Sequence, residues 1–388
     1  MSAEVPYGAR VPGGLGKSVQ GRETMQSPRR VVTWALAAGL VGASATGVSA
    51  QEAGDVITVA PDGGGDHTSI REAIEEAEVG SIVLLSPGTY DEGFVVDKAI
   101  TLSGDGPREE IVIAPASGTE IMHTAPWGEE IPVGVYVDQA DVTFEHLTLA
   151  FDGEYLGLLL DGGTSLLEDV SVTGNDIVMP RGEPTFRDSR IDSYFAVRGA
   201  SPTVEDSEIV GHASVDGPGR TVIRRSTLSG GTSASAEAVG AYEDNLFIGG
   251  QLAVDTGSDM LVQGNTVRDI DDNQAGILVI GEGSSAEIVG NTVEDAAIGI
   301  SVEARQPQSS IIGNTVRDVR VGIHVASEAE TRIEDNEITD ARTFGILLQG
   351  GAPVVVGNRI CDAEQAFELR GGAEPQLGSN EVCEPGTS

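Results

Sequence analysis

Arginines are grouped near the middle of a chain that is otherwise strongly acidic. The 388 residues include 23 Lys plus Arg against 61 Asp plus Glu, which gives a net charge of −38. A guanidinium binds a carboxylate through two parallel hydrogen bonds, so grouped arginines suggest a site for a sugar acid. An arginine or histidine beside a uronate carboxylate could also transfer a proton there.

We predict such a site in the segment from residue 176 to residue 220. The side chains expected to act in catalysis are Arg198, Arg220, His212 and Asp192. Those expected to bind the substrate are Arg181, Arg190 and Tyr194, with Asp176 and Asp216 nearby in the repeat. The alternative interpretation is a set of solvated polar residues that share no function.

Trp127 is a further candidate for substrate binding. It lies in an insertion, MHTAPWGEEIP, at residues 122–132, together with His123 and Glu129. A tryptophan on an exposed loop can stack on the apolar face of a sugar ring. Equally, the loop could fold back and pack Trp127 against the body of the protein.

Aspartates recur at one position of the repeat described below. The column begins at Asp269, Asp295 and Asp318, and Asp340, Asp362 and Glu384 continue it. Carboxylate oxygens suit calcium, so one interpretation is weak calcium binding by the first three aspartates. The other is that each carboxylate accepts hydrogen bonds from the backbone amides of a turn.

An internal repeat predicts the elements that position these residues. Residues 288–302 read IVGNTVEDAAIGISV, and residues 311–325 read IIGNTVRDVRVGIHV. Aligned on the asparagine of GNTV, which we call the slot, the frame recurs every 18 to 26 residues. The slot is filled by Leu147, Val170, Ser189, Ser207, Ser226, Asn245, Asn265, Asn291, Asn314, Asn336, Asn358 and Asn380.

Short alternating apolar runs flank each slot, bounded by Gly and Asn, which is typical of short strands and turns. A unit of about 22 residues with two or three short strands is one coil of a parallel β-solenoid. Stacked coils place equivalent residues in columns about 4.8 Å apart. Asparagine tolerates a left-handed turn, and stacked amides can hydrogen-bond along the column.

Charged residues also follow the columns. Two residues before the slot, the chain carries Glu145, Glu168, Arg187, Glu205, Arg224 and Glu243. A second set, one column over, contains Arg268, Glu294 and Arg317. Opposite charges in adjacent strands predict ion pairs between neighbouring coils.

The two ends of the solenoid have their own signals. Ser69 and Glu72 form a capping box, and apolar residues then recur at helical spacing until Gly80. This pattern predicts a capping helix over residues 66–80. The coils are expected to follow at residues 81–383. Cys361 and Cys383 occupy equivalent positions of adjacent coils, so their Cα atoms should lie within disulfide range. We predict a disulfide that joins the last two coils.

Residues 1–50 read as a secretory signal peptide, with Arg29 and Arg30 before an apolar stretch and Val48-Ser49-Ala50 as the cleavage signal. Translation could also start at Met25, and the paired arginines raise twin-arginine export as an alternative route. The mature chain would then be residues 51–388, secreted or in the periplasm or cell envelope. An oxidising compartment of this kind permits the disulfide.

The opening segment resembles a known group of proteins. Ser69 to Ala77, followed by GSIVLLSPGTYDEGFVVDKAITLSGDG, is similar to the start of secreted right-handed β-helix proteins of the pectin-lyase-like superfamily. The later GNTV…GI-V coils resemble the parallel β-helix repeats of that group, so the resemblance covers residues 56–383. It implies an all-β, single-stranded right-handed parallel β-helix with a short N-terminal helix. It implies no single activity, because the group includes lyases, hydrolases, methylesterases, epimerases and binding modules.

Catalytic signatures of the group are degenerate in this chain. The chain contains GND at 174–176, GHA at 211–213 and DD at 271–272. These elements differ from the catalytic motifs of the group's hydrolases and occur in a different order. The epimerase motif D-P-H-E is absent. We expect a secreted protein that binds or processes polysaccharide. The alternatives are a non-catalytic envelope or extracellular scaffold, and a lyase or epimerase acting on uronate-containing glycans.

The charge of the chain narrows its expected partners. A strongly acidic surface excludes nucleic acid and argues against insertion into anionic membranes once the signal peptide is removed. It would also repel a polyuronate unless calcium or arginines bridge the two, so a neutral glycan fits better. We expect a monomer.

Overall fold

A computed structural model describes residues 54–115, 121–124, 130–304, 309–326 and 331–383. In these ranges the chain forms an all-β parallel solenoid of about 14 coils, as predicted, with a single α-helix. No helix of the described residues is long and apolar enough to span a membrane. Trp127 lies outside the described residues.

Three parallel sheets run along the solenoid. The first sheet contains Val56–Val59, Ile82–Leu85, Thr101–Gly104, the first parts of Thr143–Phe151 and Leu166–Gly174, Thr185–Arg187, Thr203–Glu205, Arg220–Arg224, Val239–Glu243, Asp259–Gln263, Ser285–Val289, Ser310–Ile312, Arg332–Glu334, Val354–Val356 and Gln376–Leu377.

The second sheet contains Gly88–Tyr90, Ile111–Ile113, the second parts of Thr143–Phe151 and Leu166–Gly174, Arg190–Asp192, Glu208–Ile209, Thr227–Leu228, Leu246–Ile248, Thr266–Arg268, Thr292–Glu294, the first parts of Thr315–Val325 and Glu337–Gln349, Arg359–Cys361 and Glu381–Val382.

The third sheet contains Phe94–Val96, Glu130–Asp138, Leu156–Asp161, Ile177–Arg181, Phe195–Val197, Ala213–Asp216, Thr232–Ser235, Leu252–Val254, Ala275–Val279, Ile298–Val302, the second parts of Thr315–Val325 and Glu337–Gln349, and Gln365–Arg370. Met122–Thr124 pairs antiparallel with the start of Glu130–Asp138, and Arg108–Glu110 is a 3₁₀ turn. We call the bends from first to second, second to third, and third to first sheet the first, second and third corners.

The slot residues lie at the first corner, and their side chains form a continuous ladder. Oδ1 of Asn314 accepts both the backbone N–H of Asn291, at 2.8 Å, and its side-chain amide, at 3.0 Å. The Asn314 amide in turn donates to Oδ1 of Asn336, at 2.9 Å, and to the carbonyl of Ile288, at 2.9 Å. These asparagines are almost fully buried. The predicted asparagine ladder is confirmed.

Serines continue the ladder in the earlier coils. The backbone N–H of Ser189 donates to Ser207 Oγ at 3.1 Å, and that of Ser207 donates to Ser226 Oγ at 3.2 Å. Ser226 N–H then donates to Asn245 Oδ1 at 3.0 Å, where the asparagine ladder begins. The residue before the slot has a positive φ, for example 50° at Asp188. The left-handed conformation that the sequence suggests for the slot asparagine is therefore found at the residue before it, and the asparagine itself supplies the inward hydrogen-bonding side chain.

The recurring glycine of GI-V permits close packing between the second and third sheets. A Cβ added at Gly276 would come within 2.5 Å of Val293 Cγ1, and one at Gly345 within 2.5 Å of Ile360 Cγ2. Because those branched side chains are fully or almost fully buried, the glycine column and the branched apolar column are complementary surfaces of one core.

The α-helix Ile70–Glu76 packs its buried Ile70, Ala73 and Ile74 against the first coils. Ser69 caps it by accepting from the Glu72 N–H, as the capping box predicts. A second cap comes from Glu92, whose carboxylate accepts from the Ile70 N–H at 2.6 Å and from the Ser69 hydroxyl at 2.7 Å. The helix is shorter than the predicted 66–80, because Ala77 rather than Gly80 is its C-cap.

The opposite end carries the predicted disulfide between Cys361 and Cys383, whose Cα atoms lie 4.7 Å apart. Cys361 ends a strand of the second sheet, and Cys383 follows the equivalent strand of the next coil. The bond therefore joins the final two coils, where a solenoid otherwise lacks a neighbour.

The outer surface of the first sheet carries the predicted charge ladder. Glu168, Arg187, Glu205 and Arg224 are in register in successive coils. Glu205 accepts from Arg187 Nε at 2.9 Å, from Arg224 Nη2 at 2.6 Å and from Arg225 Nη2 at 3.1 Å. Its hydrogen bonds to Arg224, Arg187 and Arg225 lower the pKa of Glu205 to about 2. One carboxylate thus joins three coils.

Replacing Asn314 tests the ladder. Asn314→Ala removes the acceptor for two donors of Asn291 and leaves buried carbonyls without a donor, so we expect unfolding free energy to fall by about 2–4 kcal/mol. Asn314→Ser should lose less, because serine accepts the backbone N–H in the earlier coils. Urea unfolding of both variants measures the difference, and equal losses would contradict the ladder interpretation.

Glu205 should give the stability a recognisable pH dependence. Its folded pKa is depressed, so its contribution is present above the unfolded pKa, near 4.3, and is lost as the pH falls towards about 2. At pH 7 we expect Glu205→Gln to lower the unfolding free energy by about 1–2 kcal/mol, with the difference from wild type shrinking at acid pH. The matched control is Glu168→Gln, whose carboxylate lies 3.7 Å from the single guanidinium of Arg187. An equal loss in both variants, measured by denaturant unfolding across pH, would contradict this assignment.

Candidate functional site

The four candidate arginines are distributed over the three sheets. Arg190, on the second sheet, forms ion pairs with Glu208 and, at 3.4 Å, with Asp192. Arg220 begins a strand of the first sheet, where its backbone N–H donates to Ser201 Oγ at 3.0 Å. The structure therefore places Arg190 and Asp192 on a different sheet from the remaining candidates, and Arg220 beyond the third corner.

The outer surface of the third sheet brings the other candidates together. Phe195, Val197, Ala213 and Val215 point into the core, so the residues that alternate with them point outward. We define the third-sheet face as the outward side chains of Asp176, Tyr194, Arg198, His212, Ser214, Asp216, Ser233 and Ser235. Five of these eight residues were singled out from the sequence, namely Asp176, Tyr194, Arg198, His212 and Asp216.

Two aromatic rings lie side by side on this face. The rings of Tyr194 and His212 have centroids 6.0 Å apart and planes 16° from parallel. They come from adjacent coils and are both partly exposed. Such a pair offers an apolar surface with a polar edge, as sugar rings require.

The hydrogen bonds of His212 fix which nitrogen carries the hydrogen when its imidazole is neutral. Nδ1 lies 3.2 Å from the carbonyl oxygen of Gly230, and Nε2 lies 3.0 Å from Ser233 Oγ. Because a carbonyl can only accept, Nδ1 carries the hydrogen and Nε2 of the neutral ring accepts from the Ser233 hydroxyl.

Arg198 is held by an acidic partner. Its guanidinium forms an ion pair with Asp216 and lies 3.5 Å from Ser214 Oγ. Asp216 also accepts from Ser214 at 2.9 Å and from Ser235. Burial raises the pKa of the Asp176 carboxyl, and the positive charge of Arg198 acts in the opposite direction. The charge of Arg198 is therefore largely balanced within the face.

Sequence reasoning missed the three serines of this face. Ser214 and Ser233 are in register with each other, and with Ala196 and Ala253 on either side. The sequence does contain a signal for Ser214. It follows His212 by two residues in extended chain, so the two side chains must point to the same side of the sheet. The strand TSAS at Thr232–Ser235 was not recognised as the next layer of that column.

Arg181 lies on the same sheet, closer to the N-terminus of the solenoid. Its Nη2 donates to Asp161 Oδ2 at 2.9 Å. Tyr136 is nearby, and burial, followed by its hydrogen bond to Asp138, raises the pKa of its hydroxyl. The ring of His123, from the antiparallel hairpin, meets that of Tyr136 edge-on at 5.3 Å. The substrate-binding role of Trp127, in the same insertion, stays a prediction.

The aspartate column lies at the second corner. Asp269, Asp295 and Asp318 have φ of 58°, 50° and 56°, the left-handed region that aspartate tolerates. They line a cleft of about 450 Å³ together with Arg320 and Arg342. In the described residues, none of these three carboxylates accepts a hydrogen bond from a turn amide, and only Asp269 forms an ion pair, at 2.6 Å to Arg268. Backbone conformation therefore explains the column better than amide binding.

The calcium interpretation of this column stays a prediction. Within the described ranges no three acidic, histidine or cysteine side chains are grouped closely enough to hold a metal ion. Evenly spaced carboxylates along a column lack the convergence of a dedicated site, so the fit to calcium is poor.

Comparisons with known proteins agree with the architecture. Residues 250–384 match the family model described as a right handed beta helix region. No curated protein matches the chain.

Several solved structures are similar. The A-module of a mannuronan C-5 epimerase from Azotobacter vinelandii has 18% identity and a TM-score of 0.52, covering 81% of this chain and 93% of that one. The A-module of a second mannuronan C-5 epimerase from the same organism has 16% identity and a TM-score of 0.49, covering 77% and 91%. A PL6 family polysaccharide lyase from Pseudopedobacter saltans has 14% identity and a TM-score of 0.40, covering 82% and 91%. At 18% identity, the first of these structures shows a shared fold and leaves the activity open. The chain is thus a parallel β-solenoid whose residues 250–384 match a right-handed β-helix family model, with no match to a specific enzyme family.

Proposed function

We propose that the protein is secreted and that it binds or processes a polysaccharide along the third-sheet face. The observation that carries this proposal is the convergence of Tyr194, His212, Arg198 and Asp216 on one partly exposed sheet surface. Aromatic rings beside carboxylate, guanidinium and hydroxyl groups are the side chains that bind sugars. The neighbour named as an epimerase of the polysaccharide mannuronan supports the same class of ligand.

The charge distribution favours an uncharged stretch of glycan over a polyuronate. Arg198 is paired with Asp216, so the face offers little free positive charge to a carboxylate. The chain as a whole carries a net charge of −38, which repels polyanions. A lyase or epimerase of uronates would need a cation free to neutralise the sugar carboxylate. We therefore favour a neutral or esterified glycan.

Secretion is part of the proposal. The signal-like residues 1–50 and the disulfide between Cys361 and Cys383 support it. Mass spectrometry of the protein from the culture medium or the periplasm should give an N-terminus at Gln51. Full-length protein retained in the cytoplasm would contradict this part.

Binding to polysaccharides tests the site. Neutral, uronate-containing and O-acetylated polysaccharides would be titrated against residues 51–388 with isothermal calorimetry. We expect binding to a neutral or acetylated polymer, and we expect Tyr194→Ala to weaken it about 3- to 10-fold through loss of one aromatic contact.

The matched control is Arg190→Ala, on the second sheet, which should leave the affinity unchanged. Weakening by Arg190→Ala with no effect of Tyr194→Ala would place the ligand on the second sheet and overturn the assignment. Absence of binding to every polymer would instead favour the extracellular scaffold.

A further inference from the structure

We propose that Ser233 is a nucleophile and His212 its general base, and that the pair hydrolyses an O-acyl ester. The inference rests on the proposed function only in its choice of substrate, an ester on a glycan hydroxyl such as an acetyl group. The chemistry of the pair stands on its own geometry.

The contacts of His212 are those of a serine–histidine catalytic pair. Nε2 lies 3.0 Å from Ser233 Oγ, within the range for proton transfer from a serine hydroxyl. On the far side of the ring, Nδ1–H donates to the Gly230 carbonyl at 3.2 Å. That contact holds the ring in the tautomer whose Nε2 can receive the proton, which is the part an orienting group plays in such sites.

Another serine–histidine contact in the described residues shows what an unreactive arrangement looks like. Ser301 Oγ lies 3.0 Å from Nδ1 of His324, but its hydroxyl donates to Glu303 Oε1 at 3.0 Å. Ser301 is completely buried. By contrast, Ser233 is partly exposed, and the neutral ring of His212 with its hydrogen on Nδ1 offers Nε2 as the acceptor for the Ser233 hydroxyl.

The fold itself does not require a hydroxyl group at Ser233. In register with Ser233 stand Ala253 in the following coil and Ser214 and Ala196 in the two preceding ones. These neighbours show that a methyl group satisfies the same position of the sheet.

Stabilisation by Arg198 of the charge that develops on the ester oxygen requires release of its ion pair with Asp216. Arg198 Nη1 lies 3.5 Å from Oγ of Ser214, the residue in register with Ser233. The backbone N–H groups of the third sheet are used in pairing between coils, as Thr232 N–H is to the carbonyl of Gln251. A side-chain cation rather than a backbone pocket would therefore take the oxyanion role.

The reaction balances with water as the only co-substrate. Ser233 Oγ attacks the ester carbonyl carbon while its proton passes to His212 Nε2. The tetrahedral intermediate then breaks its bond to the sugar oxygen, which leaves with the proton from Nε2. Water, deprotonated by His212, next attacks the acyl-serine, and the carboxylic acid departs as Ser233 regains its hydrogen.

Covalent labelling with a fluorophosphonate tests the pair without any glycan. We expect one adduct on wild-type protein, located by peptide mass spectrometry at Ser233, and none on Ser233→Ala. His212→Gln should slow labelling about 100-fold or more, because general-base assistance is lost. Ser301→Ala serves as the matched control and should label like wild type.

Hydrolysis of p-nitrophenyl acetate should follow the same order among these variants. No adduct on folded wild-type protein, or an adduct that persists in Ser233→Ala, would overturn the proposal. Thermal melting of each variant establishes that it is folded before labelling is compared.

The labelling experiment tests the Ser233–His212 pair, and the polysaccharide titration tests the proposed function, so either proposal can be contradicted without the other. Labelling at Ser233 without polysaccharide binding would support the pair and contradict the proposed function. Binding weakened by Tyr194→Ala without any labelling would do the opposite.

Discussion

The hydrogen-bonded column at the first corner is the constraint on which the rest of the structure depends. From Ser189 onward, each slot side chain accepts the N–H of the slot residue in the coil before it, as Asn314 does for Asn291, and the asparagines also donate onward. Since these groups are buried, a coil that slipped out of register would leave several of them without partners. The ladder therefore fixes the stacking of the coils from Val170 to the C-terminal end and, with it, the register of the three sheets there.

Because the register is fixed, outward-pointing side chains of successive coils form columns. The fold does not dictate which residue types occupy these columns. The core needs only the inward residues, such as the valines and isoleucines on either side of the slot. The first sheet uses its outer surface for ion pairs around Glu205, and the second sheet does so at Arg190 and Arg359. Most arginines thus join acidic coils to one another. The third sheet has such ion pairs too, at Arg181 and Arg198, but its middle coils add rings and hydroxyl groups beside them.

Much of the fold could be predicted from the sequence because its signals recur in every coil. The slot, the apolar alternation, the disulfide and the charge ladder each follow from one residue type at one spacing. The position of the capping helix is predicted correctly. Its C-terminal end is not, because the C-cap is Ala77 rather than Gly80. The contact from Glu92 was also out of reach, since a residue beyond the next two strands supplies it.

The candidate site was harder to predict because the alternation of inward and outward side chains restarts at each corner. Arg190 and Arg198 are close in sequence, yet a second-corner turn separates them, and they belong to different sheets. Their spacing in the sequence alone could not assign each arginine to a sheet. Ser233 was missed for a related reason, since small polar residues between glycines resemble a turn when their neighbours in the next coil are unknown. Register, rather than composition, identifies it as the partner of His212.

The acidity of the chain has a direct consequence for ester chemistry on the third-sheet face. A neutral ester is not repelled by a protein of net charge −38, whereas the carboxylate formed by its hydrolysis is. Asp216 also balances Arg198, so the one cation of the face would not retain that anion strongly. Arg198 can still interact with the oxyanion of the transition state, because that charge forms within the face beside Ser214 and Ser233. The same surface charge that disfavours a polyuronate ligand therefore favours release of a small acid product.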